Sequence, residues 1–348
     1  MTETTSPSDE LAEINQGFLE LGLSDGLPII PPTGARVAAM VAGSGRGGGE
    51  TIGRIPPTWG EATVVRVAAN AVMAGCAPEY LPVVLAALSA CLDGRFNLHG
   101  VQCTTHVTSP LVVIHGPIAR RLGVNGGNNC FGQGWRANAT IGRAVRLALV
   151  NIGGARPGDI DRATLGHPGK YTYCIAENQA DSPWPEFHVE SAGLAPEQSA
   201  VTVFAAEAPH NINNHEFDPH RLLDAIAGTI ATPGANNYYV MGDYALALGV
   251  DHARILNGAG WRRAHVQRYL FEKARLPITT LRHGGMYGER VDRNLWPRWI
   301  ERSRPEAMVP PVREPADIKI FVAGGAGPHS LAIPGWGVRA VTRVVEGP

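Results

Sequence analysis

Apolar positions recur at helical spacing in several windows of the chain. Leu11, Ile14, Phe18 and Leu19 predict an amphipathic helix over 10–21, following a polar stretch (1–10) whose lack of periodicity predicts disorder. "GEATVVRVAANAVMAG" (60–75) and "PEYLPVVLAALSACLDG" (78–94) predict two helices that are apolar on most sides and therefore central. Glu61 suits the first turn of the former, Pro78 opens the latter, and Gly75 and Gly94 stop them. "NATIGRAVRLALVNIGG" (138–154) predicts a third long helix. Shorter helices are expected over 118–124, 218–232 (capped by Asp218), 251–260 (capped by Asp251) and 264–275. Continuous apolar runs predict buried strands over 110–116, 200–207, 236–243, 244–250, 317–325 and 339–346. "SDGLPIIPPT" (24–33) reads as extended, "GSGRGGGET" (43–51) as a linker, and 304–317 as a long loop.

Strands alternating with helices predict an α/β fold: a mixed, largely parallel sheet or sheets covered by helices, with long Gly/Asn/Pro-rich loops at strand ends. The organisation expected is a tail and helix over 1–22, then one large α/β domain over 23–348. That domain is either a single unit or two intimately joined lobes, about 23–195 and 196–348. No internal repeat is legible. The crevice at the carboxyl ends of the strands is the expected place for a site.

Composition narrows the function classes. The 348 residues carry a net charge of -1, which argues against a nucleic-acid partner. No apolar run approaches the ~18 residues of a membrane span, and the N-terminus lacks the pattern of a signal peptide. Five cysteines without a CxxC read as reduced thiols in a cytoplasmic protein. The 42 glycines and 27 prolines, spread without a period, suggest many structured loops.

Five stretches carry candidate chemistry. In "FNLHGVQCTTHVTSPLVVIHG" (96–116), His99, Cys103 and His106 have offsets that share a face on a helix. β-Branched residues and the Ser-Pro step argue against a helix there, and no second ligand pair follows. Three readings stand: a local metal site, a Cys103 nucleophile with His106 as base, or a loop that delivers His106 to a pocket, which fits best. His115 sits where the strand ends. "APHNINNHEFDPH" (208–220) places His210 and His215 on a strand-end loop. In "NGGNNCFGQGWRANATIGR" (125–143), Asn128 and Asn138 accompany Arg136 at a helix start, an arrangement suited to an anion; Cys130 is a candidate thiolate. "GHPGKYTYCIAENQADSPW" (166–184) supplies Lys170, Tyr173, Glu177 and Asn178. "VAGGAGPHSL" (322–331) ends in His329 and Ser330 but lacks the spacing of a nicotinamide or flavin dinucleotide fingerprint. A G-x-S-x-G elbow is absent from the sequence.

The strings "DGLPIIPPT", "GRIPPTWGEATVVRVAANAVMAGCAPEYLPVVLAAL", "GQGWRANATIGRAVRLALVNIGG", "LGHPGKYTYCIAEN" and "FVAGGAGPHS" resemble a bacterial family whose members look like the larger companions of small UGSC-type (seleno)cysteine proteins. The resemblance covers roughly 20–340. It implies a thiol or selenol protein partner, and redox or thiol-linked small-molecule chemistry. Alanine is expected to be common in that family where this chain has Cys103, and the segment around Cys130 looks variable in it, which weakens a shared cysteine nucleophile.

The expectation is therefore a cytoplasmic enzyme acting on a small anionic organic molecule by lyase, hydratase or hydrolase chemistry. His106, His210, Glu177 and Lys170 would be catalytic. Arg136, Asn138, Asn128, Asn178, Tyr173, His329 and Ser330 would bind substrate. A divalent metal, if used, would lie on His106, His210 and His215. The alternative is a non-catalytic or ligand-binding subunit serving the thiol partner. A homo-oligomer is expected, with the two helices over 60–93 serving either a subunit interface or the core.

Overall fold

The computed structural model of the chain describes residues 7–283 and 304–347. Its strands are β1 (Thr51–Ile55), β2 (Gly60–Thr63), β3 (Ser109–His115), β4 (Cys174–Ala176), β5 (Ala200–Ala206), β6 (His210–Asn213), β7 (Tyr244–Leu248), β8 (Leu276–Pro277), β9 (Met308–Val309), β10 (Ile318–Val322), β11 (His329–Ile333) and β12 (Val341–Val344). Two four-stranded sheets organise the chain, in the orders β4-β3-β5-β12 and β10-β7-β11-β6; β1/β2 and β8/β9 are small separate pairs.

Side-chain alternation stacks these sheets into layers. Along β3, Val112 and Ile114 pack against the helices Val64–Ala74, Leu81–Cys91 and Arg136–Asn151. Leu111 and Val113 face the other way, onto the second sheet's Ala245, Ala247, Phe321 and Ile333. The far side of the second sheet is covered by the helices Pro219–Ile230, Val250–Gly258 and Arg263–Lys273. The result is helix, sheet, sheet, helix. Phe187, Phe204 and Phe321 cement the middle, with Phe187 edge-on to Phe321 at 6.4 Å. Each buried ring contributes about 2–3 kcal/mol of transfer free energy.

The two sheets repeat one pattern. Starting from β4 or from β10, the successive pairings are parallel, antiparallel, antiparallel. In both halves helices connect the parallel pair, Pro117–Arg121 and Arg136–Asn151 in one, Val250–Gly258 and Arg263–Lys273 in the other. The fourth strand is exchanged. β6, directly after β5, joins the second sheet, and β12, directly after β11, joins the first. Backbone bonds recur in register: Glu177 N–H to Ile114 O (3.0 Å) matches Ala323 N–H to Leu248 O (3.1 Å). At the crossover, Glu207 N–H to Pro334 O (2.9 Å) matches Trp336 N–H to Ala205 O (3.2 Å).

Several expectations are corrected. The sheets are mixed rather than largely parallel: among the described residues only the strand pairs β3·β4 and β7·β10 run parallel, because β5 and β11 return along their own sheets. The exchange also crosses residue 195, since β5 and β12 share a sheet with β3, so the sheets are not the two sequence halves. Residues 60–63 form β2, with Glu61 paired to Arg54, and the helix starts at Val64; it stops as expected at Gly75 (φ 90°). The two apolar helices take the core, one of the two places expected for them. Gly34–Gly43 is a helix between the extended stretch 24–33 and the linker 43–51, where the sequence predicts no element. Residues 237–240 are helical, because the Asn237 side chain turns back to bond Gly242 O and Gly335 N–H. Asp218 caps its helix through Arg221 N–H (2.9 Å), whereas Asp251 accepts from Gly327 N–H (2.8 Å) and Gly249 stands at the N-cap.

Candidate functional site

A cavity of about 610 Å³ lies at the amino-terminal ends of β3 and β4. Arg146, Asp161, His167 and Lys170 supply its charge and proton-transfer groups, and Ser24 and Asp25 of the extended N-terminal segment form part of the wall. Arg146 projects inward from the Arg136–Asn151 helix and is almost completely buried. Its guanidinium donates to Ser109 Oγ (2.9 Å) and Gln102 Oε1 (3.4 Å), both neutral oxygens. The carboxylate whose charge it feels most, Asp161, is already held by Lys170 Nζ at 2.6 and 2.8 Å. Asp25 is likewise spoken for, by Arg143 at 2.7 and 2.8 Å. The cavity therefore carries an excess positive charge on a desolvated guanidinium. Burial pushes the Arg146 pKa down, and it pushes Lys170 down as well, against the pull of Asp161.

His167 stands in the wall between this cavity and a neighbour of about 510 Å³ that Tyr173 and Asn138 help to line. Its Nδ1 accepts Gly169 N–H (3.1 Å), which puts the proton of the neutral ring on Nε2. Nε2 is buried without a hydrogen-bond partner, although the Ala206 carbonyl is near the ring. Burial, and then the charges of Lys170 and Arg146, lower its pKa. Behind it lies a dyad. His106 Nδ1 accepts Thr108 N–H (3.2 Å), so Nε2 donates to Glu207 Oε1 at 2.9 Å. Tyr173 Oη donates to the Glu207 carbonyl (2.8 Å) and its ring meets His167 edge-on at 5.5 Å.

Of the sequence candidates, the structure thus gathers Lys170, His106 and Tyr173 around one region. The others fall elsewhere. Arg136 is exposed and donates to Gly75 O (3.0 Å), joining two helices rather than awaiting an anion. Asn138 is buried and pins the glycine loop, accepting from Asn125 N–H (2.8 Å) and donating to Asn125 O (2.9 Å) and Cys130 O (3.2 Å). Asn128, His329 and Ser330 share a separate cavity of about 300 Å³. There Ser330 Oγ bonds His252 Nδ1 (2.7 Å) and Gly249 N–H (2.9 Å), and His329 Nδ1 bonds Asn211 Oδ1 (3.1 Å). Asn178 ties the loops of the two sheets, donating to Gly324 O (2.9 Å). Glu177 is buried against His115, at the opposite ends of β3 and β4 from Lys170. His210 and His215 are exposed and, among the described residues, join no metal-ligating group with His106.

The thiols are not activated. Burial pushes Cys76 and Cys91 up to about 12 and Cys130 up to about 11, and raises Cys174 and the exposed Cys103 as well. The segment that argued against a helix is one: Leu98–Cys103, started by Asn97, whose Oδ1 accepts Gly100 N–H (3.2 Å). Cys103 ends it facing solvent, and burial followed by the charge of Asp161 raises its thiol pKa.

Sequence reasoning missed Arg146, Asp161, His167 and Glu207. One signal was present. Arg146 shares a face of its helix with Leu149 and Val150, one turn on, where a cation is out of place without a reason. Among the described residues, no helix is long and apolar enough to cross a membrane. Comparison with protein-family models, curated proteins and solved structures gives no match.

Proposed function

We propose that the protein is an enzyme that holds a small organic anion in the Arg146 cavity and moves a proton on it, in chemistry of the lyase, hydratase or hydrolase kind. The observation that carries this reading is the buried Arg146 guanidinium, bonded only to neutral oxygens in the wall of a large cavity. A carboxylate or phosphate on the ligand would supply the missing countercharge through a charge-assisted pair. Lys170, with its pKa lowered, is the proton-transfer group, and Asp161 orients its ammonium. His167 offers an unpaired Nε2–H as a second donor. Leu165 and Tyr171, 89% and 49% exposed at the cavity, give the carbon body of the ligand an apolar surface.

The test is a panel of mono- and dicarboxylates and phosphate esters, read by thermal shift and calorimetry. A bound anion should stabilise the wild-type chain, and Lys170→Met should retain binding while losing turnover. If no anion shifts the wild-type transition at millimolar concentration, the reading fails. The second reading keeps the cavity but drops turnover: a ligand-binding subunit that serves a thiol or selenol partner. The raised pKa values of all five thiols favour it, because redox chemistry would then need a sulfur or selenium from outside the chain.

A further inference from the structure

We propose that His115, Glu177 and His188 form a binding site for a divalent first-row transition-metal ion, separate from the Arg146 cavity. The ligand atoms of these three residues all lie within 4.8 Å of one another. Three different elements bring them together: the last residue of β3, the first residue beyond β4, and the opening turn of the helix Phe187–Ala192. Their location is the carboxyl end of the parallel strand pair, where an α/β sheet usually presents its chemistry.

All three are buried: His115 and His188 are 0% exposed and Glu177 is 3% exposed. His115 and Glu177 are already oriented. Glu177 accepts the Phe187 N–H on both carboxylate oxygens at 3.0 Å, and its Oε2 faces His115 Nδ1 at 2.8 Å. His115 Nε2 bonds Thr202 Oγ1 (3.0 Å), which bonds Thr342 Oγ1 (2.9 Å). A ligating imidazole held through its second nitrogen by an outer hydrogen bond is what metal sites require.

A plain His115–Glu177 hydrogen bond would account for that pair alone. It leaves His188 unexplained. Both ring nitrogens of His188 are buried with no hydrogen-bond partner, and the Ala195 and Gln198 carbonyls nearby do not reach bonding geometry. A polar ring with neither nitrogen satisfied is a standing cost in a folded core. A metal ion on one nitrogen would remove it. Zn–N bonds of about 2.1 Å in tetrahedral geometry set ligand separations near 3.4 Å, so the widest of these atoms must move in by about 1.4 Å at most, while His115 Nδ1 and Glu177 Oε2, now 2.8 Å apart, must part by about 0.6 Å.

Two imidazoles and one carboxylate suit zinc, iron(II) or cobalt(II) better than calcium or magnesium. Three protein ligands leave at least one position open. Glu177 also lines a cavity of about 460 Å³ with Arg120, Asn178 and Glu186, which would give that position an outside approach.

The experiment uses the full chain without a histidine tag, titrated with cobalt(II) and zinc. About one cobalt per chain should bind, with visible d–d absorption that zinc displaces. His188→Leu should fold, remove the unpartnered imidazole without lowering Tm, and weaken cobalt affinity by roughly 100-fold or more. A control with His210→Ala and His215→Ala should bind as the wild type does. The proposal is overturned if the wild-type chain shows no saturable cobalt spectrum, or if the exposed-histidine control loses the metal. Should His188→Leu not fold, His115→Asn replaces it; a folded variant of either kind that binds cobalt within a few-fold of wild type also overturns it.

Discussion

Replacing Arg146 by methionine should leave the stability of the ligand-free protein close to that of the wild type while weakening anion binding. Methionine matches the length of the side chain and adapts to the space. Removing a buried cation with no carboxylate of its own relieves about 1–4 kcal/mol of desolvation cost. The change forfeits the bonds to Ser109 (2.9 Å) and Gln102 (3.4 Å), each worth about 1 kcal/mol. Ser109 Oγ keeps its bond to Gly169 O (3.0 Å), so only Gln102 Oε1 is stranded. The balance lies between a loss of about 1 kcal/mol and a gain of about 2 kcal/mol, a Tm within a few degrees of the wild type. Anion affinity should drop about 10- to 150-fold, from the loss of a charged hydrogen bond worth about 1.5–3 kcal/mol. Chemical denaturation measures the first quantity and calorimetry with the best anion of the panel measures the second. A variant destabilised by more than about 3 kcal/mol that still binds the anion would show Arg146 to be a structural strut, and the reasoning would be wrong.

Three further outcomes are expected. His167 and His252 both have pKa values lowered chiefly by burial, so below about pH 6.5 the unfolded chain binds more protons than the folded one. Stability should be fully present above that pH and fall on acidification, with a limiting slope of about 2.7 kcal/mol per pH unit for the pair; denaturation at pH 7.5, 6 and 5 with no such decline would refute it. Expressed alone, residues 23–195 should not unfold cooperatively, since they lack β5 and β12 and leave β3 with β4 as its only neighbour; a sharp thermal transition for that fragment would contradict the strand exchange. Gly249→Ala should cost about 3 kcal/mol, because a Cβ there would sit 1.9 Å from the His329 carbonyl. Gly228→Ala, in open space on the Pro219–Ile230 helix, should instead stabilise by about 0.5–1 kcal/mol, and equal effects in the two variants would count against the packing described.

Local rules carried the sequence a long way. The strand Ser109–His115 follows from a run of β-branched and apolar residues that can be buried on both faces. Leu81–Cys91 follows from an apolar surface that only a core can accept, and Asp218 caps its helix because a short carboxylate reaches the orphan N–H groups. Where short polar side chains compete with the backbone, the same rules misled. Asn97 starts a helix in a stretch that reads as loop, and Asn237 folds one from a stretch that reads as strand.

What the sequence by itself determined is which segments are apolar enough to be strands and helices, and roughly where they stop. Tertiary structure alone decided how they pair. The repeated half, with its exchanged β6 and β12, rests on backbone hydrogen bonds that any apolar strand can make, so it leaves little trace in side-chain order. The site is non-local for a related reason. Lys170 reads as a reagent from its neighbours, but Arg146 matters because burial strips its water and the fold places Ser109, Gln102 and no free carboxylate beside it. Solvation of a charge is a property of the assembled surroundings, and those come from residues far apart along the chain.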